Sequence, residues 1–142
     1  MAAGDETRPH FFYGTLMDAD VRARILGRRV GAQPAVARGY RAYRHRTDSY
    51  PVLRAAPLGA APGLLVADLG SADVRRLCWY EGDEYERRLI TVSGPGTRPM
   101  DAWAFVGVDG VLTDNRIWSL ADWQRLHKAA FLRRLGPVPV RG

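Results

Sequence analysis

The sequence predicts an α+β domain built on a small, curved, mixed or largely antiparallel β-barrel with flanking helices. Segments with strand character outnumber helical ones, and they mostly follow one another without a helix between them. A doubly wound parallel sheet would instead alternate the two. No internal repeat and no linker-like stretch divides the chain. With 142 residues and 46% hydrophobic content, it has the size of one ordinary domain and enough apolar side chains for a real core. That single domain is expected over residues 10–136, after a flexible N-terminus at 1–9 and before a proline-containing tail at 137–142.

In order along the chain, His10-Phe11-Phe12-Tyr13 reads as a short strand. Gly14 interrupts it, and Thr15-Leu16-Met17 leads into a helix capped by Asp18 or Asp20. Val21, Ile25 and Leu26 supply the apolar face of that helix, and Gly27 ends it. Residues 30–46, with Val36, Tyr40 and Tyr43 among arginines, read as a surface strand or a hairpin. Pro51 places 48–53 at a sheet edge or in a loop, and Pro57, Gly59 and Pro62 make 55–62 loop-like. The run from Gly63 to Leu69 is the most continuous apolar stretch and reads as a buried central strand. Ser71 caps the next helix, with Asp73 in its first turn and Gly82 just past its end. Tyr85 to Val92 and Ala102 to Val106 form an antiparallel hairpin across a turn rich in Gly and Pro. A polar loop spans 107–116. Ser119 with Asp122 resembles a capping box opening a helix to about Leu135, with Leu120, Trp123, Leu126 and Ala130 as its packing stripe.

Charge and composition narrow the function. The net charge is +6, from 21 basic and 15 acidic residues, and Lys128 is the only lysine. The arginines are scattered in pairs across different segments and form no basic stripe, so an Arg-rich composition accounts for them better than nucleic-acid binding. No apolar run reaches the length of a membrane span, and the N-terminus lacks a signal-peptide core. Neither nucleic acid nor membrane is therefore an expected partner. The lone cysteine, Cys78, excludes an internal disulfide and fits a reducing, cytoplasmic setting. His10, His45 and His127 lack neighbours at metal-ligand spacing, so no metal is expected. There is no Walker loop, dinucleotide fingerprint or nucleophile elbow. Cys78 lies on an apolar helical stripe without an evident base, and reads as a small buried hydrophobe.

Two features remain. Glu81 stands where the pattern Val74, Leu77, Cys78 expects an apolar side chain, opposite Arg75 and Arg76 and flanked by Trp79 and Tyr80. A carboxylate turned inward must be neutralised, paired or used. Glu81 is accordingly a catalytic candidate; the plainer alternatives are a structural partner for an arginine or a side chain swung to solvent. The second feature is the strand–turn–helix passage Tyr13-Gly14-Thr15-Leu16, whose backbone N–H groups suit a carboxylate or a developing oxyanion. Its plainer reading is an ordinary connection. Together, acid and turn suit proton transfer with oxyanion stabilisation.

These residues resemble a known family. Tyr13-Gly14-Thr15-Leu16 is similar to the Tyr-Gly-Ser/Thr-Leu loop of the γ-glutamylcyclotransferase-like (AIG2-like) proteins. Leu77-Cys78-Trp79-Tyr80-Glu81-Gly82, followed by Tyr85-Glu86-Arg87, resembles their Leu-Asp-x-x-Glu-Gly…Tyr-x-Arg segment, with Cys78 in place of the common Asp. Tyr50-Pro51 matches a Tyr-Pro ahead of their central strand. The resemblance runs from about Phe11 to Val106. It implies a curved β-barrel and cofactor-independent release of 5-oxoproline from a small γ-glutamyl amine or γ-glutamyl amino acid. Glu81 would then be the general acid/base, Tyr13, Gly14, Thr15 and Leu16 would hold the glutamyl moiety, Tyr85 would line the pocket and Arg87 would be structural. Two rival expectations share the fold: a non-catalytic binding or regulatory module, and an enzyme stripping a γ-glutamyl group from a biosynthetic intermediate.

Overall fold

The computed structural model describes residues 7–94 and 98–136. The expected tail at 137–142 and most of the expected N-terminal segment at 1–9 lie outside the described residues. Among the described residues there are six strands: β1 (His10–Phe12), β2 (Gln33–His45), β3 (Pro51–Val66), β4 (Tyr85–Ser93), β5 (Pro99–Gly107) and β6 (Thr113–Ile117). Four α-helices accompany them: α1 (Ala19–Leu26), α2 (Ser71–Glu81), α3 (Leu120–Leu126) and α4 (Lys128–Leu135). A 3-10 turn, Thr15–Met17, joins β1 to α1.

The strand order is β3-β1-β5-β4-β2, and β2 also pairs with β3, so five strands close into a barrel; β6 adds to β2. The barrel is mixed. Strand β1 runs antiparallel to β3 and parallel to β5, while the β2–β3, β4–β5 and β2–β4 pairs are antiparallel. Pro9 joins the scheme through its carbonyl, which accepts from Trp103 N–H at 2.9 Å.

Side chains alternate across this wall, as a pleated strand requires. Phe11, Tyr13, Leu53, Ile90 and Val92 point to one core together with the small residues Ala37, Ala42, Ala61, Ala102 and Ala104, which suit the tight interior of a five-stranded barrel. Phe12, Val66 and Phe105 point the other way and meet Val21, Ile25, Leu77 and Trp123 from the helices. His10 belongs to this wall. It is buried, its Nε2 accepts from Arg87 Nε at 3.1 Å, and burial holds its pKa down at about 4. The Arg87 guanidinium in turn lies 3.9 Å from the centre of the Trp103 ring.

Several expectations are corrected. Residues 55–62 are not a loop but the middle of the sixteen-residue strand β3. The Pro and Gly there serve a bent strand: the β2–β3 register shifts between Arg38 and Tyr40, next to Gly39 in the left-handed region. The polar stretch 107–116 contains the start of β6. The C-terminal helix breaks at His127 into α3 and α4. Ser119 does cap α3, accepting from Asp122 N–H at 3.2 Å, but the Asp122 carboxylate pairs with Arg125 and does not close a capping box. Leu126 is exposed; Phe131, Leu132 and Leu135 take the packing role beside Trp123. Gly70, not Ser71, is the N-cap of α2, where the Asp73 carboxylate accepts from Gly70 N–H at 3.0 Å. Cys78 is exposed and not a buried hydrophobe. The inward face of α2 runs through Asp73, Leu77 and Tyr80, and turns Cys78 outward.

Closure of the barrel depends on Gly63, where β3 lies between β1 and β2. A Cβ there would stand 2.5 Å from Phe12 O and 2.6 Å from Phe11 Cζ, a backbone clash that no rotamer relieves. We expect Gly63→Ala to destabilise the fold by about 3 kcal/mol, read as a lowered urea midpoint.

Candidate active site

Strand β1 ends at Phe12, and the chain turns through Tyr13 and Gly14 into the 3-10 turn. Met17 and Asp18 N–H close this turn onto Gly14 and Thr15 C=O, both at 2.9 Å. Among the described residues, Thr15 and Leu16 N–H donate to no carbonyl. Arg22 of α1 holds the far side of the turn, its Nη1 donating to Leu16 O at 3.1 Å and Met17 O at 3.2 Å. With its carbonyls engaged behind, the turn leaves its first amides free for a ligand. Asp18 caps α1, accepting from Asp20 and Val21 N–H at 2.9 and 3.0 Å.

Glu81 comes to this turn from the last residue of α2, which Gly82 ends at φ +73°. One link stitches helix to turn: the Thr15 and Tyr80 hydroxyls lie 2.6 Å apart. A cleft results, lined by Phe11, Phe12, Tyr13, Gly14, Thr15, Leu16, Tyr50, Pro51, Glu81, Tyr85 and Phe105. All six residues expected from the sequence, Tyr13, Gly14, Thr15, Leu16, Glu81 and Tyr85, meet in it. Gly14 suits a close approach, since a Cβ there would come 3.0 Å from Pro51 Cγ. The Tyr13 hydroxyl donates to Phe105 O at 2.5 Å and accepts from Leu53 N–H at 3.3 Å, so it braces the barrel. The Tyr85 hydroxyl donates to Pro51 O at 2.6 Å.

The three inward-turned acids differ in one respect. Asp73 takes a two-pronged ion pair from Arg28, at 2.6 and 3.0 Å, which holds its carboxyl below the usual range. Asp18, though penalised by burial, is lowered by hydrogen bonds from Lys128 and Gln124. Glu81 has no cation and no hydrogen bond among the described residues. The residue keeps part of its surface open, but its carboxyl is enclosed enough that burial alone lifts its pKa to about 8. A lone acid desolvated in a cleft is a marker of a functional site. Tyr13, Tyr80 and Tyr85 are also pushed above the ordinary phenol range, first by burial and then by neighbours that include Glu81.

Tyr50, Pro51 and the phenylalanines were not among the expected site residues, although the Tyr-Pro pair was visible as a motif. His45 was expected to lack carboxylate neighbours; the fold brings Asp48 and Glu84 beside it, with ligand-type atoms within 4.8 Å. Cation binding is disfavoured there. His45 Nδ1 already accepts from Thr47 and Asp48 N–H, at 3.1 and 3.2 Å, and Nε2 faces Glu84 at 3.1 Å.

The profile of the family described as "Gamma-glutamyl cyclotransferase, AIG2-like" matches residues 10–125, which span both the turn and Glu81. The chain belongs to this family. Among its AIG2-like relatives, Protein AIG2 C of Arabidopsis thaliana is 25% identical over 86% of this chain and 75% of its own length. AIG2-like protein A of the same plant is 26% identical over 93% and 82%. The solution structure of an Arabidopsis thaliana protein superposes with a TM-score of 0.69 at 24% identity, covering 92% of this chain and 91% of that one. A structure named gamma-glutamyl cyclotransferase shares the fold at a TM-score of 0.61 and 9% identity, over 71% of this chain and 66% of its own. No helix of the described residues is long and apolar enough to cross a membrane.

The raised Glu81 pKa makes folding pH-dependent. Below pH 4.5 the carboxyl is protonated folded or unfolded; between 4.5 and about 8 only the unfolded chain releases the proton, so stability falls as pH rises through that window. Glu81→Gln removes this slope. The variant should match the wild type near pH 4 and exceed it near pH 9 by up to ~4 kcal/mol, measured by urea denaturation at both pH values.

Proposed function

We propose that the protein is a cofactor-independent γ-glutamylcyclotransferase that releases 5-oxoproline from a γ-glutamyl amine or γ-glutamyl amino acid. The observation that carries this reading is the unpaired, desolvated Glu81 carboxyl in one cleft with the Tyr13–Leu16 turn. Family membership supports it. The free amides of Thr15 and Leu16 suit the substrate's α-carboxylate or the oxyanion that forms at the γ-carbon. Glu81, ionised, takes a proton from the α-ammonium. The freed amine nitrogen attacks the γ-carbonyl carbon, closing a five-membered ring. The tetrahedral intermediate collapses as Glu81 returns the proton to the leaving nitrogen, the γ-carbon–nitrogen bond breaks, and the ring nitrogen sheds its second proton to the same carboxylate, which passes it to the departing amine. The products are 5-oxoproline and the amine in its ammonium form, and the carboxylate ends in its starting state. No water or external acceptor enters the balance.

Both reacting groups belong to one molecule, so the cleft has mainly to hold a folded conformer and relay protons from the α-nitrogen to the leaving nitrogen. Burial tunes Glu81 for both directions of transfer: an acid with a pKa near 8 accepts from an ammonium and donates to a departing amine more readily than an ordinary carboxyl does. A cytoplasmic setting is part of the same reading, consistent with a single exposed cysteine.

Glu81→Gln should lower 5-oxoproline release by about 10²–10⁴-fold while the variant stays folded; wild-type turnover in this variant would remove the assignment. For the wild type, kcat/KM should climb with pH, pass its midpoint near pH 8, the pKa of the free carboxyl, and level off above it. A γ-glutamyl amine assayed across pH checks this limb, and any residual Gln-variant rate should lack it.

A further inference from the structure

The wall of the cleft at Tyr50 is tied down by side chains that the reaction does not use. The Tyr50 hydroxyl lies 2.7 Å from Glu84 Oε1, to which it donates, with Asp48 Oδ2 a second acceptor at 3.0 Å. The other oxygen of Glu84 faces His45 Nε2 at 3.1 Å. His45 is buried, and its Nδ1 accepts N–H groups from Thr47 and Asp48. Those two donors fix the tautomer: Nδ1 carries no proton, so Nε2 does, and it donates to Glu84. The rings of His45 and Tyr50 also meet edge to face, with centroids 5.1 Å apart. A continuous tether therefore runs from the backbone of residues 45–48 through His45 and Glu84 to Tyr50. The Tyr50 ring packs 5.9 Å from Tyr85, whose hydroxyl holds Pro51 O. Tyr50, Pro51 and Tyr85 thus form one aromatic wall, anchored from outside the cleft.

We propose that Glu84 and His45 are positioning residues that hold Tyr50 against the cleft, and so set how well a substrate is bound there. The proposal rests on the cyclotransferase reading for its effect on turnover, but the tether itself does not. Neither side chain lines the cleft, so losing the tether weakens substrate binding and leaves proton transfer at Glu81 in place. A glutamine at position 84 preserves the connection: its oxygen accepts from His45 Nε2, its amide donates to the Tyr50 oxygen, and the Tyr50 hydroxyl turns to Asp48 Oδ2.

The test measures kcat and KM for 5-oxoproline release from a γ-glutamyl amine by the wild type and by Glu84→Ala, Glu84→Gln, His45→Asn and the Glu84→Ala/His45→Asn pair. In parallel, NMR of protein carrying ¹³C-labelled tyrosine follows the Tyr50 Cζ signal, assigned by its loss in Tyr50→Phe. Glu84→Ala should raise KM about tenfold with kcat within about twofold, and shift the Tyr50 signal. Glu84→Gln should stay near wild type, and the double variant should be no worse than Glu84→Ala, because both members act through one tether. A fall in kcat at constant KM, a glutamine variant as impaired as the alanine one, or fully additive losses would overturn the proposal. If the wild type releases no 5-oxoproline from any γ-glutamyl substrate, the cyclotransferase reading fails and the NMR decides the tether. A Tyr50 signal that moves in Glu84→Ala supports it, and one that does not overturns it.

Discussion

The site depends on strand β1 being held on both sides. Three residues, His10–Phe12, pair antiparallel with the end of β3 and parallel with β5. A strand so short is marginal by itself; here it is a stave of a closed barrel and cannot shift without opening it. Its register determines that Phe11 enters the barrel, that Phe12 meets the helices, and that the chain emerges at Tyr13 with the turn amides facing the cleft. The same pleat brings Phe105 beside the Tyr13 hydroxyl. Helix α2 is then positioned by contacts that have nothing to do with chemistry: Leu77 in the helical core, Asp73 on Arg28 and Tyr80 on Thr15. Glu81 is carried in as the last residue of a helix fixed elsewhere.

That division explains how an unneutralised acid is tolerated. The buried acids that hold the fold, Asp18 and Asp73, have their cations, Lys128 and Arg28, on the helical side of the barrel. The cleft offers Glu81 aromatic rings, a proline and main chain. Remaining protonated at neutral pH is the least costly state for such a carboxyl, and in the proposed reaction a substrate ammonium would supply the opposite charge that the protein withholds. On the proposed reading, stability and reactivity are opposed at one residue, which is common where a site is built to react.

Much of this was legible in the chain. Local signals were sufficient for β1, the Asp18 cap, the Gly27 and Gly82 helix ends and the β4–β5 hairpin, because each is written in neighbouring residues. The inward orientation of Glu81 was also readable, but for an imperfect reason: the helical face was centred one residue off, which placed Cys78 inside and overlooked Asp73. Apolarity alone could not show that a buried aspartate would be satisfied by an arginine 45 positions away. Strand β3 was broken in the reading at Pro57, Gly59 and Pro62, since the rules that exclude these residues from strands do not foresee a bend at a bulge. The roles of His45, Tyr50 and Glu84 were invisible for a different cause. Their partners are separated by 34 to 39 positions, and only the closed barrel brings them together.

Among the described residues, the cleft lining contains neither lysine nor arginine. Although the protein as a whole carries a net charge of +6, none of that charge belongs to the described residues that line the cleft. The surface charge can speed the approach of an anion, and salt weakens that contribution within a Debye length. A ligand inside the cleft would instead meet amide directions and aromatic contact. Encounter and retention therefore answer to different solution conditions: ionic strength sets how often a ligand arrives, and has little influence on how long it stays.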